Sequence, residues 1–331
     1  MSNPRARETQ KTPARRIYAF GFSGIIHYFC LLFGFCGNQN GIHQTRHRKF
    51  IGTHKSYKTM QIDVEKVLAS KAPKLAKRLP RFIIRYLKKI IHQEEINQIL
   101  DKHGNLPPME FIRSALGDMG VTWRVEGMER IPREERYLFA SNHPFGGMDG
   151  VILAQEIAAH LGGDVRSISN DLLLFVEPLR PIFLPVNKHG RQSKEAARIF
   201  EETFAGDIPI QTFPAGLCSR RIKGEVTDLE WRPSFVKKAI QHHRTVVPVY
   251  VEGQLSNRFY NLANWRKRLK IKANIEMLYL VDEMFKQKGK HIVIHIGTPI
   301  AWEQLAEIGN PMKATEYVRS KVYAMAPAKV K

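Results

Sequence analysis

Between residues 121 and 297, short runs rich in Val, Ile, Phe and Tyr alternate with stretches of helical spacing, and few architectures accept that alternation. Residues 121–126, 137–141, 165–169, 182–186, 209–213, 245–252 and 291–297 read as strands. Between and after them, 151–161, 194–204, 234–242, 259–269 and the segment following Lys313 read as helices. Strands separated by helices cannot pair as tight hairpins. The expected fold is therefore α/β, a single domain whose central sheet is mostly parallel or mixed and is flanked by helices.

Ahead of this body the pattern changes twice. Residues 60–119 form a region of basic amphipathic helices. Ile62, Val64, Val67 and Leu68 open it at helical spacing. From 71 to 101, Leu75, Leu79, Phe82, Ile83, Leu87, Ile90 and Ile91 recur at the same spacing, with Lys74, Lys77, Arg78, Arg81, Arg85, Lys88 and Lys89 on the remaining turns. Pro80 marks a helix start or a kink. Such a stretch either packs on the core with a solvated basic face or lies in the headgroup layer of anionic lipid. Pro107-Pro108 then opens a further short helix.

Residues 1–59 are different again. They carry ten Lys/Arg and one acid, Glu8, and residues 17–36 are apolar over about the length that spans a bilayer. No small-residue cleavage site follows, which argues against a signal peptide. Helical patterning starts only at Met60, so translation is expected to begin there and 1–59 to be an over-long reading of the frame; a real membrane anchor is the competing view.

The chain has 52 Lys+Arg against 31 Asp+Glu, a formal charge of +21. That balance points to an anionic partner, whether nucleic acid, a membrane surface, or a phosphorylated or carboxylated substrate. Cys30, Cys36 and Cys218 lack metal-ligand spacing, so a reducing, cytoplasmic setting without a disulfide framework is expected.

The segment Tyr137-Leu-Phe-Ala-Ser-Asn-His-Pro-Phe-Gly-Gly-Met-Asp-Gly150 carries the most chemistry. An apolar strand ends on the Asn142-His143 pair, two glycines permit a tight path, and Asp149 stands where the next helix begins. His143 can accept a proton near neutral pH, and Asp149 can fix its tautomer and stabilise the imidazolium. Taken alone, the two residues are better read as a strand cap and a helix cap; the rest of the chain changes that.

This segment resembles the first motif of the glycerolipid acyltransferase family, Asn-His-x-x-x-x-Asp, although here five residues separate His143 from Asp149. Ile210-Gln-Thr-Phe-Pro-Ala-Gly-Leu-Cys-Ser-Arg220 resembles the family's acceptor-binding motif, Phe-Pro-Glu-Gly-x-Arg-Ser. Phe213, Pro214, Gly216 and Ser219 match; Ala215 replaces the Glu, and Cys218 stands in place of the Arg. The strand at 245–251, with Pro248, is similar to the final motif, and Phe183-Leu-Pro-Val-Asn-Lys188 with Arg191 takes the place of the second. The forms of these motifs look most like a bacterial, hemolysin-like branch linked to O-acylation of ornithine and glycine lipids.

The resemblance implies an acyltransferase domain over 120–331 that moves a fatty acyl group from an acyl thioester to the hydroxyl of a lysolipid, either lysophosphatidic acid or an N-acyl amino-acid lipid. His143 would be the general base and Asp149 its partner. Asn142, Phe213, Pro214 and Gly216 would line the acceptor site, where Arg220, Arg221 and Lys223 can grip an anionic group. Backbone N–H groups near Gly216 or Gly146-Gly147 can serve a transient oxyanion. No bound cofactor or metal is expected; acyl carrier protein or coenzyme A would carry the donor. The expected partners are a membrane lipid and an anionic membrane surface, at the cytoplasmic face of the inner membrane.

Other readings compete. Trp265-Arg-Lys-Arg-Leu-Lys270 is a sequence on which a nucleic acid could stack and pair, but no recognition motif accompanies it. A lipid hydrolase could use the same histidine on water, yet a nucleophile elbow is missing. Cys218 reads as a small buried thiol, and His242, His243, His291 and His295 read as structural, the strand pair without an evident acidic partner.

If residues 74–89 rest on anionic lipid, reversing several of their charges weakens vesicle binding, and raised salt has the same effect. Vesicle binding indifferent to both treatments would assign the stretch to core packing.

Overall fold

The computed structural model describes residues 61–71, 73–169, 176–185, 194–271 and 274–328. The apolar run at 17–36, Cys30, Cys36 and the Val186–Arg191 part of the second motif lie outside them. Among the described residues the first elements are α1 (Val64–Lys71), α2 (Pro73–Ala76), α3 (Arg81–Ile90), α4 (Gln93–His103) and α5 (Pro108–Asp118). The basic stretch is thus not continuous. Pro80 precedes α3 with an extended backbone, which suits a residue with a fixed φ and no N–H to donate. His92 takes φ +51° between α3 and α4, a left-handed step that no right-handed helix continues through. Its ring is stacked on Phe285 and bonded to Glu95 and Asp282.

Then come β1 (Thr122–Glu126), β2 (Tyr137–Ser141), α6 (Met148–Leu161), β3 (Arg166–Ser169), β4 (Phe183–Pro185), α7 (Lys194–Ala205), β5 (Ile210–Thr212), β6 (Arg220–Ile222), β7 (Glu225–Thr227), α8 (Ser234–Gln241), β8 (Thr245–Val251), α9 (Asn257–Arg268), α10 (Leu280–Phe285), β9 (His291–Ile296), α11 (Trp302–Glu307) and α12 (Pro311–Ala324). One sheet has the order β1-β9-β8-β2-β5-β3-β4. All its pairings are parallel except β8 with β9. The sheet is therefore mostly parallel, and its strands match the expected ones to within a residue over the described positions. The short β6–β7 hairpin, α10 and α11 were not among the expected elements, and α6 starts at Met148, ahead of the expected 151.

Side chains alternate across the strands, and the alternation builds two cores. From β2, Tyr137 and Phe139 join α5 and α6 on one face, through Ile112, Leu116, Ile152 and Ile157. Leu138 and Ala140 join α8 and α12 on the other, through Phe235, Val236, Val318 and Val322. A third cluster ties α1 and α3 to the segment before α10, with Leu68, Leu87 and Ile90 against Leu278 and Tyr279. At the foot of the sheet Arg244 is wholly buried. Its guanidinium donates to the carbonyls of Phe204, Tyr137, Ile208 and Thr203 at 2.8–3.1 Å. Burial lowers its pKa to about 10, and the carbonyl shell satisfies the donors that burial takes from water.

Candidate active site

The carboxyl ends of β8, β2 and β5 lie side by side in the sheet, and the loops leaving them converge. Open α/β sheets place ligands at such strand ends. At the exit of β2, Asn142 donates through Nδ2 to the Val251 carbonyl at 2.9 Å and accepts from the Val251 N–H at 2.7 Å. Both ends of its amide are thereby taken up by the end of β8. Asn142, expected at the acceptor site, is a clamp that fixes where His143 begins.

His143 Nδ1 lies 3.0 Å from Asp149 Oδ2. Asp149 has no exposed surface. Its Oδ2 also accepts from the Phe145 N–H at 3.0 Å, and Oδ1 accepts from the Gly150 N–H at 2.9 Å. It sits in the first turn of α6, where the helix dipole favours a negative charge. With a carboxylate at Nδ1, the neutral imidazole holds its proton there and keeps a lone pair on Nε2. The five intervening residues are accommodated by a turn at Gly146, with φ +75°. A Cβ at that position would lie 2.7 Å from Leu280 Cδ2 and 3.2 Å from Cys218 Cβ. Phe145 is pressed against Gly253, where a Cβ would fall 2.1 Å from Phe145 Cζ.

The loop after β5 covers the histidine. Phe213 stacks on the His143 ring with centroids 4.0 Å apart, and the Ser219 N–H donates to the His143 carbonyl at 2.8 Å. Pro214 is buried, and its carbonyl accepts from the Arg232 N–H. The Gly216 N–H closes a turn onto the Phe213 carbonyl at 2.8 Å, so it is not free to serve an oxyanion.

Asp228 joins these loops, and sequence reasoning missed it. Its Oδ1 accepts from Ser219 Oγ at 2.5 Å and from the His143 N–H at 3.3 Å; its Oδ2 accepts from Trp231 Nε1 at 2.9 Å. Burial raises its pKa, an effect opposed by the bonds from Ser219 and Trp231. No local signal marks Asp228: Trp231 is close by, but Ser219 and His143 come from other segments.

The basic residues after the loop divide. Arg220 is 3% exposed. It donates to the Cys218 carbonyl at 2.7 Å, to Cys218 Sγ at 2.9 Å and to Glu276 at 3.3 Å, and it lies over the Phe259 ring. It is therefore turned into the protein and bonded there, whereas the sequence had offered it as a grip for an anionic group. Arg221 and Lys223 stay at the surface of the β6–β7 hairpin. Arg221 donates to Asn257 Oδ1 at 2.7 Å and stacks over Tyr260, while Lys223 occupies the turn with φ +50°.

Cys218 is buried, and burial pushes its thiol up to about 11; it is not poised as a nucleophile. His295 does have acidic partners, Glu252 at 2.5 Å and Glu126 at 3.1 Å, brought to it by β8 and β1. His242 meets Glu201, and His243 stacks on Trp302. Among the described residues no group of three His, Cys, Asp or Glu can hold a metal ion, and no helix is long and apolar enough to cross a membrane.

Asp228→Ala removes one acceptor shared by three donors while relieving the burial of a carboxylate. The net loss of unfolding free energy is expected to be about 2–3 kcal/mol, read from urea unfolding. An unchanged midpoint would mean that the donors find other partners.

A model of a family described as acyltransferase matches residues 66–329. The lyso-glycine lipid O-acyltransferase of Bacteroides thetaiotaomicron is 44% identical over 264 residues, 80% of this chain and 97% of that protein. The enzyme of the same name from Phocaeicola vulgatus is 44% identical, over 80% of this chain and 95% of that one. The crystal structure of the 1-acyl-sn-glycerophosphate acyltransferase PlsC from Thermotoga maritima aligns with a TM-score of 0.42 and 17% identity, over 68% of this chain and 79% of that chain. With most of its length matched by the family model and by relatives of this identity, the chain belongs to the acyltransferase family.

Proposed function

We propose that this O-acyltransferase transfers a fatty acyl group from a thioester, carried by acyl carrier protein or coenzyme A, to the free hydroxyl of a lyso-glycine lipid. The acceptor follows the relatives' activity. The observation that carries the chemistry is the His143–Asp149 contact at 3.0 Å, held at the strand ends beneath Phe213.

His143 Nε2 takes the proton of the acceptor hydroxyl as its oxygen attacks the thioester carbonyl. The tetrahedral oxyanion collapses, the C–S bond breaks, and the imidazolium returns its proton to the departing sulfur. Asp149, bonded to Nδ1, orients the ring and stabilises the imidazolium. The thioester is already activated, so no covalent enzyme intermediate is required. With the Gly216 N–H committed to its turn, the Gly146-Gly147 backbone is the assigned source of oxyanion donors. The glycine carboxylate of the acceptor is assigned to Arg221 and Lys223, the surface cations nearest in sequence to the Phe213 loop. The enzyme works as a peripheral protein at the cytoplasmic face of the inner membrane, with α3 meeting anionic lipid.

His143→Ala is expected to keep the fold, read by circular dichroism, while cutting turnover by roughly a hundredfold or more. Asp149→Asn slows turnover as well, because an amide neither orients nor stabilises the imidazolium as a carboxylate does. Near-normal transfer by a folded His143→Ala protein would end this mechanism.

A further inference from the structure

Two segments distant in sequence carry large apolar side chains into solvent. On α3, Phe82 is 63% exposed and Tyr86 44%; on α9 and its C-cap, Trp265 is 62% exposed and Leu269 52%. Phe82 with Tyr86, and Trp265 with Leu269, stand one turn apart on a common helix face. Single exposed apolar residues are ordinary, but a pair of large apolar side chains on each of two helices, two aromatics on α3 and an aromatic with an aliphatic on α9, is a patch.

Contacts connect the two places. The Tyr86 and Tyr279 hydroxyls share a hydrogen bond of 2.7 Å, and the Arg258 guanidinium lies 5.0 Å over the Tyr279 ring. Arg258 precedes Trp265 by two turns of α9, roughly 10 Å along the same face. The charge is of one sign. Neither residues 66–92 nor residues 257–271 contain an Asp or Glu, while Arg85, Lys89, Lys267, Arg268 and Lys270 are exposed.

We propose that the C-terminal end of α9 is a second membrane contact, at which Trp265 and Leu269 enter the headgroup layer of an anionic bilayer and Lys267, Arg268 and Lys270 meet lipid phosphates. The inference rests on the peripheral membrane reading given above and extends it from one helix to two. Aromatic rings favour the bilayer interface, and flanking cations add attraction to anionic lipid. A nucleic acid would use Trp265 and the cations, but it gives Leu269 and Phe82 nothing to bury against. Two contacts also fix orientation, which one amphipathic helix does not. The first turn of α9 holds the β6–β7 hairpin through the Arg221–Asn257 bond, so docking α9 brings the hairpin that carries Arg221 and Lys223 toward the headgroups.

The test uses the full chain and vesicles of phosphatidylcholine and phosphatidylglycerol, with brominated phosphatidylcholine as a contact quencher of tryptophan fluorescence. Quenching on vesicle addition is expected, and Trp265→Phe should remove most of it. Trp265→Ala with Leu269→Ala should weaken vesicle affinity roughly tenfold and leave turnover on a dispersed, water-soluble short-chain acceptor unchanged. Quenching that survives Trp265→Phe, or a double variant that binds vesicles as the parent does, would overturn the proposal. So would an oligonucleotide bound more tightly than the vesicles and lost in the same variants. Quenching reports contact without any acyl transfer, so failure of this inference is distinguishable from failure of the proposed reaction.

Discussion

Asp149 is a carboxylate without exposed surface, and the shape of the site follows from keeping it there. A buried carboxylate needs donors in place of the water it has lost. The donors are the Phe145 and Gly150 N–H groups and His143 Nδ1, with the start of α6 adding its dipole. To supply them the chain must turn back on itself between His143 and Asp149. That turn passes through Gly146 at positive φ, against Leu280. The residue that lengthens this motif beyond the family spacing is absorbed in the turn, and the His–Asp contact forms.

The imidazole is held from several directions at once. Asn142 locks the start of the loop to β8, Phe213 covers the ring, and Asp228 gathers the His143 N–H, Ser219 and Trp231 onto one carboxylate. A ring held by independent elements loses little geometry to any single fluctuation, which is what the proposed role of His143 as base needs. The same packing removes Arg220 from the surface. Its pairing with Glu276 leaves Arg221 and Lys223 as the more accessible cations of that segment.

What could be read from sequence depended on whether the signal was local. β2 and β8 are buried on both faces and appear as near-continuous apolar runs, as parallel interior strands do. The motif residues His143, Asp149 and Phe213 were legible because chemistry and glycine placement mark them within a few positions. The β6–β7 hairpin is short and polar, and only Lys223-Gly224 at its turn betrays it. His92 breaks the basic stretch without any local signal, because Glu95, Asp282 and Phe285, which hold its ring, include residues far along the chain. Arg220 read as a surface cation because Glu276, which neutralises it, is far along the chain. His295 lacked an acidic partner on paper for the same reason, since strand order alone brings Glu126 and Glu252 beside it.

Acyl transfer to an amino-acid lipid can be read from its products. Purified protein is given an acyl thioester, on acyl carrier protein or on coenzyme A, with either lyso-glycine lipid or lysophosphatidic acid, and the lipids are read by mass spectrometry. A lyso-glycine lipid heavier by one acyl chain is expected, formed in step with released thiol. Thiol released alongside free fatty acid with the acceptor untouched, or acylation of lysophosphatidic acid alone, would contradict it.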